Sequence, residues 1–286
     1  METKIIDGKA IAKAVRAEVA QQVKEICADG KAVPKLAVVL VGEDPASQTY
    51  VKSKGKACVQ VGMESESIYL PESTTEETLL EEIRRLNEDP TVNGILVQLP
   101  LPRHIAVDRV IQTIDPDKDV DGFHVRNIGN MAKGGCREYL PCTPNGVMEL
   151  LKRSQIEIEG KHCVVIGRSN LVGKPVSLLL QEANGTVTMC HSRTRDLVFF
   201  TRMADILVVA AGKPHLIDGS MIREGAVVID VGIHRTEQGL CGDVDTESCM
   251  GIAEAITPVP GGVGPMTVAM LMQNCLLAYR KQNQIG

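Results

Sequence analysis

Tryptophan is absent from this chain, and only four tyrosines and three phenylalanines occur among its 286 residues. With so few stacking platforms and a formal net charge of -5, the chain has little with which to bind nucleic acid or an anionic membrane. The opening Met1-Glu2-Thr3-Lys4-Ile5-Ile6-Asp7 lacks the apolar core of a signal peptide, and no apolar run approaches the length of a membrane span. Nine cysteines are scattered without a Cys-x-x-Cys pair. They predict buried thiols in a reducing cytoplasm, with neither disulfides nor a metal site. The six histidines stand singly, and none is assigned a catalytic role.

Hydrophobic residues make up 44% and charged residues 23%, the balance of a globular protein, and the length suffices for two domains. Short Val/Ile/Leu runs at 36–41, 67–70, 94–99, 163–166, 186–190, 206–210 and 227–231 alternate with helical patterns at 10–28, 45–61, 76–87, 145–153 and 175–182. Near-continuous apolar strands alternating with helices predict an α/β fold with parallel sheets covered on both faces. An acidic, turn-prone stretch at 115–122, then Gly134-Gly135-Cys136 and Pro141-Cys142-Thr143-Pro144, punctuate the middle. The expected organisation is a first domain over 1–118, a connection over 119–154 and a second domain over 155–265. By pattern alone the last helix, from Met266, fits either domain.

In the first half, Asp44 and Pro45 mark a helix N-cap and first helical position. Along that helix Ser47, Tyr50 and Lys54 share a face, whereas Lys52 and Lys56 point elsewhere. A lysine beneath a tyrosine serves as a cation or, if desolvated, as a proton donor and acceptor. Gln98 interrupts an apolar strand near its carboxyl end, where a polar amide requires a partner. Asp119 and Asp121 flank Val120, and such a carboxylate pairs well with an amino-pyrimidine edge.

In the second half, the run at 163–166 leads into Gly167-Arg168-Ser169-Asn170-Leu171-Val172-Gly173-Lys174-Pro175 and a helix. This is the setting in which a dinucleotide pyrophosphate meets a helix N-terminus, although Ser169 replaces the second glycine of Gly-x-Gly-x-x-Gly. The next strand ends in His191-Ser192-Arg193-Thr194, without the acid that holds the ribose hydroxyls of NAD. Arg168 with Ser192 or Arg193 suits a 2′-phosphate, so NADP is favoured. Gly212, and Gly232 with Ile233, follow two further strands and offer backbone against which a nicotinamide ring can lie. Pro258-Val259-Pro260-Gly261-Gly262-Val263-Gly264-Pro265-Met266-Thr267 is rigid and nearly devoid of polar groups. Its glycines allow close approach to a flat ligand, with a simple turn before a helix as the plainer reading.

These motifs, in order Tyr50-Val51-x-x-Lys54, Gln98-Leu99-Pro100-Leu101-Pro102, Lys118-Asp119-Val120-Asp121-Gly122-Phe123-His124, the 167–175 turn and the 258–267 loop, resemble the bifunctional methylenetetrahydrofolate dehydrogenase/methenyltetrahydrofolate cyclohydrolase family of FolD type. The resemblance spans almost the whole chain. It implies a folate-binding catalytic domain completed by the helix over 266–286, and a Rossmann-like NADP-binding domain across a cleft. Lys54 is then the acid/base or polarising group supported by Gln98, Tyr50 packs on the folate and Asp121 anchors the pterin. Ser47, Leu99, Pro100, Pro260, Gly261 and Gly262 would line the folate site. Gly167, Arg168, Ser169, Val172, Gly173, His191, Ser192, Arg193, Thr194, Gly212, Gly232 and Ile233 would meet NADP. A cytoplasmic homodimer is also implied. The chain departs from the family pattern at Val125, where proline is usual, and at Asn130-Met131, where a basic residue and leucine are common. The alternatives are an NADP-dependent dehydrogenase of another small substrate, such as a shikimate-dehydrogenase relative, a folate- or nucleotide-binding protein without turnover, or an enzyme retaining one activity.

Overall fold

The computed structural model describes residues 2–134, 139–237 and 239–285; Gly135 and Cys136 of the expected central punctuation lie outside them. In chain order the elements begin with β1 (Lys4–Ile5), α1 (Gly8–Ala28), β2 (Lys35–Val41), α2 (Pro45–Val61), β3 (Glu64–Leu70), α3 (Glu76–Glu88) and β4 (Gly94–Val97). Then come α4 (Val107–Thr113), α5 (Val125–Lys133), α6 (Cys142–Arg153), β5 (His162–Ile166), α7 (Gly173–Glu182), β6 (Thr186–Cys190) and α8 (Leu197–Thr201). The remainder are β7 (Ile206–Val209), β8 (Val227–Asp230), β9 (His234–Thr236), β10 (Gly239–Cys241), α9 (Thr246–Cys249), β11 (Ala255–Ile256) and α10 (Val263–Gln282). All seven expected strands form, while β1, α4, α5, α8, α9 and β9–β11 are additional.

The chain packs as two compact units, one of residues 13–142 with 268–286 and the other of residues 1–12 with 143–267. The expected boundaries differ from this partition at both ends. Residues 1–12 group with the second half because β1 pairs in parallel with β11, and the change of unit falls at 142/143, inside the expected connection.

The first unit holds a parallel three-stranded sheet in the order β3-β2-β4. The strands β2 and β4 are buried almost throughout, as their unbroken apolar sequences require. One face packs Leu79, Leu80, Ile83 and Leu86 of α3 against Ala37, Val39 and Ile95. The helix exposes its charged residues on the other side, including an Arg85–Glu82 pair, which gives a strong helical period.

The second unit holds a six-stranded sheet in the order β1-β11-β8-β7-β5-β6, parallel throughout. Apart from the short edge strand β1, the first strand of this sheet in chain order is β5, which lies between β6 and β7, so the order reverses there. A crevice opens outside the carboxyl ends of strands at such a switch point, where ligands of open α/β sheets bind. The antiparallel hairpin β9–β10 follows β8. Most described cysteines are buried, as expected, but Cys27 is exposed near the end of α1; all described cysteines are free.

Candidate active site

Helix α2 is set by its caps. The Asp44 carboxylate accepts from the Ser47 backbone N–H at 2.8 Å, Pro45 takes a first-turn position, and Gly62 closes the helix at φ 80. Ser47 is thereby enclosed, at 2% exposure, whereas Tyr50 stands 46% exposed. One turn on, Lys54 Nζ donates to Gln98 Oε1 at 2.8 Å. The Gln98 amide is held from its other end, since Nε2 donates to the Leu99 carbonyl at 2.6 Å. Gln98 follows β4 directly, and Leu99–Pro100 is a cis peptide. Lys52 and Lys56 are exposed, as the helical spacing predicts.

The two aspartates flanking Val120 have different duties. Asp119 is consumed by the local turn: its carboxylate accepts from Gly122 N at 3.1 Å, His124 N at 2.7 Å and Asn127 Nδ2 at 2.9 Å. Asp121 faces Lys54 and the thiol of Cys142 instead. Burial pushes the Asp121 carboxyl up to about 6, with the Lys54 charge opposing and the Asp119 charge adding to the rise. Burial likewise lowers the Lys54 ammonium, and the Asp121 carboxylate counters that shift. Both residues are partly exposed. Burial also holds the Cys142 thiol well above its usual range, so it stays protonated and donates to the Val120 carbonyl at 3.3 Å. From α10, Asn274 Nδ2 donates to the carbonyls of Val120 and Leu140, each at 2.9 Å, fixing the backbone just ahead of Asp121 and Cys142. Sequence reasoning missed Cys142 and Asn274 as parts of this cluster, because neither carries a local signal.

Val125 opens α5, where a proline would fit sterically. Its backbone N–H donates to Gln112 Oε1 at 3.3 Å, a bond proline lacks. Met131 is buried and Asn130 is half-buried.

In the other unit, Gly167 leaves β5 at φ 120, and a Cβ there would overlap the Ala210 carbonyl at the end of β7. Gly173 begins α7 so close to the Gly167 carbonyl that only glycine fits. Ser169, in place of the second glycine, folds inward: its Oγ accepts from Val172 N at 3.1 Å and Gly173 N at 3.4 Å. Beside this turn lies a cavity of about 550 Å³ at the switch point. Of the expected cofactor residues, Gly167, Arg168, Ser169, His191, Ser192 and Thr194 line it, together with Ala210, Ala211 and Lys213. No acidic side chain contributes to the lining. Leu197 and Leu216, which the sequence did not single out, supply apolar wall.

The other expected cofactor residues do not line this cavity. Val172 and Gly173 shape the turn, Arg193 donates its backbone N–H to His191 Nδ1 at 3.1 Å, and Gly212 and Gly232 give their N–H groups to buried carboxylates. Ile233 is 43% exposed after β8. The first of those carboxylates, Asp243, accepts from Ala211 N at 2.6 Å, Gly212 N at 2.9 Å and Lys213 N at 2.9 Å, and from His234 Nε2 at 2.7 Å. The second, Asp230, accepts from Gly232 N, Asp243 N and Val244 N at 2.9–3.0 Å, and burial pushes its carboxyl up to about 6.

The 258–267 loop contains a cis Val259–Pro260 bond and Gly261 at φ 110. A Cβ on Gly262 would stand 2.6 Å from the Pro258 carbonyl oxygen and 2.7 Å from Thr257 Cβ, and one on Gly8 would overlap the Gly262 carbonyl. The close approach that Gly262 permits is therefore to the chain itself. The last residues of the motif already belong to α10, which starts at Val263, ahead of the expected Met266.

Among the described residues no group of His, Cys, Asp and Glu is arranged to hold a metal ion, and no helix is long and apolar enough to cross a membrane.

Comparison with known proteins gives a consistent picture. A family model described as the tetrahydrofolate dehydrogenase/cyclohydrolase catalytic domain matches residues 6–121, and its NAD(P)-binding domain counterpart matches residues 141–283. The bifunctional protein FolD of Brevibacillus brevis is 56% identical over 283 residues, covering 99% of both chains. The crystal structure of the FolD methylenetetrahydrofolate dehydrogenase/cyclohydrolase of Campylobacter jejuni matches with a TM-score of 0.95 at 48% identity, over 98% of this chain and 99% of that one. A Trypanosoma brucei FolD structure complexed with NADP cofactor and inhibitor matches with a TM-score of 0.94 at 40% identity, over 99% of each chain. Nearly full-length identity at this level, over a chain whose two halves match the two domain models in order, establishes that the chain belongs to the tetrahydrofolate dehydrogenase/cyclohydrolase family.

Proposed function

We infer that this chain is a bifunctional one-carbon folate enzyme. It oxidises 5,10-methylenetetrahydrofolate to 5,10-methenyltetrahydrofolate with NADP+, and hydrolyses that product to 10-formyltetrahydrofolate. The observation that carries the reading is the Lys54–Gln98 hydrogen bond beside Asp121, in the region matched by the catalytic-domain model.

The residues at the switch point fit NADP. A cavity of about 550 Å³ with Arg168, Ser192 and Lys213 in its wall and no carboxylate accommodates a phosphate-bearing nucleotide. Arg168 and Ser192 are assigned to the 2′-phosphate. When bound, the cofactor supplies a nicotinamide carbon that accepts hydride.

The folate carbon that loses hydride lies between two nitrogens, whose lone pairs stabilise the resulting cation. Orientation is what that step needs from the protein, with no obligatory general base. Tyr50 is assigned to pack on the folate ring system and Asp121 to accept hydrogen bonds from its amino-pyrimidine edge. Hydrolysis adds water to the cationic carbon. The carbinol proton is released to solvent as the C–N bond breaks and the formyl C=O forms, and the other water proton, lost on addition, needs a carrier. Lys54, lowered toward the neutral amine by burial, is assigned to take the proton and later return it to the departing ring nitrogen. Gln98, its amide fixed by the Leu99 carbonyl, holds the lysine in place.

Two further assignments accompany this reading. A homodimer is proposed, supported by β3, which ends its sheet with an unpaired edge and carries a 54% exposed Tyr69. A cytoplasmic setting is proposed from the buried free thiols.

The test is a spectrophotometric assay with 5,10-methylenetetrahydrofolate and either NADP+ or NAD+, quantifying methenyl and 10-formyl products. Reduction of NADP+ with 10-formyl product supports the reading. Absence of cofactor reduction and of methenyltetrahydrofolate hydrolysis overturns it.

A further inference from the structure

We propose that Asp243 is a positioning residue for the cofactor site, and that His234 holds Asp243 in the orientation this requires. The inference rests on the NADP reading of the switch-point cavity. Three successive amides, Ala211, Gly212 and Lys213, converge on the Asp243 carboxylate at 2.6–2.9 Å. Consecutive backbone N–H groups pointing into one concavity form an anion nest, the arrangement often used for phosphate. Here the protein fills its own nest with a side chain that is 0% exposed.

The geometry explains why. The segment after β7 forms one wall of the cavity through Ala210, Ala211 and Lys213. Gly212 sits at φ 68, a conformation with no regular secondary structure to hold it. Its amides need an acceptor, and a buried carboxylate makes charge-assisted bonds to them. Asp243 divides its oxygens: Oδ2 serves Ala211 and Gly212, while Oδ1 serves Lys213 and His234 Nε2. His234 is the only side chain among these four donors. Beneath, Asp230 accepts the Asp243 backbone N–H at 3.0 Å, so the clamp is anchored to the end of β8. The cavity wall is thus positioned by residues that do not line the cavity. Loosening the clamp releases Ala211 and Lys213 from their places, whereas Ala210 stays tied to β5 through its N–H bond to the Ile166 carbonyl at 2.7 Å.

The test measures NADP+ affinity by isothermal titration calorimetry, and amide hydrogen exchange of peptides covering 210–214, on the full chain. Wild-type protein that binds NADP+ establishes the premise; wild-type protein that fails to bind it refutes the cofactor reading, independently of Asp243. Asp243→Asn presents an amide N–H₂ to donors and should weaken NADP+ binding by about tenfold or more, with faster exchange at 211–213. Should that variant not fold, His234→Leu and His234→Gln decide. Leucine removes one donor and should weaken binding severalfold with faster exchange, whereas glutamine restores an N–H donor and should recover most of the affinity. In steady state the loss should appear in KM for NADP+ more than in kcat. Unchanged affinity and exchange in a folded Asp243→Asn protein, or equal behaviour of the leucine and glutamine variants, overturns the proposal.

Discussion

Lys54 Nζ lies 2.8 Å from Gln98 Oε1, a bond that joins the middle of α2 to the residue immediately after β4. The Gln98 amide is anchored through Leu99, so the lysine is held by a group that neither titrates nor competes for its proton. That arrangement leaves Asp121 as the charge partner and makes the role of each residue separable by mutation.

Replacing Lys54 with methionine removes the proposed proton carrier and keeps the bulk of the chain. Cyclohydrolase activity should fall by about 10²–10⁴-fold, the usual contribution of general acid–base catalysis, with part of the dehydrogenase retained. Single-turnover assays of each step on protein shown to be folded and to bind folate make the comparison. Equal loss of both activities would contradict the division of labour.

Asp121 gives a pH dependence of known sign. Its carboxyl titrates near 6, so acidification through that value neutralises the proposed pterin anchor and the charge facing Lys54. The kcat/KM for folate should fall below about pH 6, and Asp121→Asn should flatten that limb. Stability should move the other way. A carboxyl raised above its unfolded value of about 3.9 costs stability at neutral pH, and that cost is relieved as pH drops from about 6 toward 4. Urea midpoints of wild type and Asp121→Asn between those pH values should therefore converge on acidification.

Arg168 lines the nucleotide cavity beside Ser192. Arg168→Ala should reduce the preference for NADP+ over NAD+ by about tenfold or more, chiefly through KM for NADP+, as expected for loss of a charge-assisted contact to phosphate. An unchanged cofactor ratio in steady-state kinetics would remove Arg168 from that role.

Asn274 is 3% exposed and its Nδ2 serves two backbone carbonyls. Asn274→Ala leaves both without that donor and should cost about 1–3 kcal/mol in urea denaturation. Because Val120 precedes Asp121 and Leu140 leads to Cys142, whose thiol faces the Asp121 carboxyl, KM for folate should rise in the same variant.

Much of this was written in local sequence. The unbroken apolar runs of β2, β4, β5, β7 and β8 could be satisfied only inside covered parallel sheets, and Asp44 and Pro45 marked the start of α2 without tertiary help. Helical period then separated Lys54 from Lys52 and Lys56. The two-residue strands β1 and β11 carry no period at all. They exist because distant segments meet, as the Thr3 hydroxyl does with the Ala253 carbonyl at 2.7 Å. Nothing local distinguished Asp119 from Asp121, since both flank one valine. The difference arose from what packs around them, a turn with three donors in one case and Lys54 with Cys142 in the other. Asp243 likewise reads as an ordinary turn residue beside Gly242, and only the fold brings three amides of a segment 30 residues away onto its oxygens. The sequence by itself determined the seven longer parallel strands, the long helices and the chemistry on offer, because those depend on periodicity and side-chain type. Tertiary structure decided which carboxylate does what, because burial and hydrogen-bond partners belong to the packed chain as a whole.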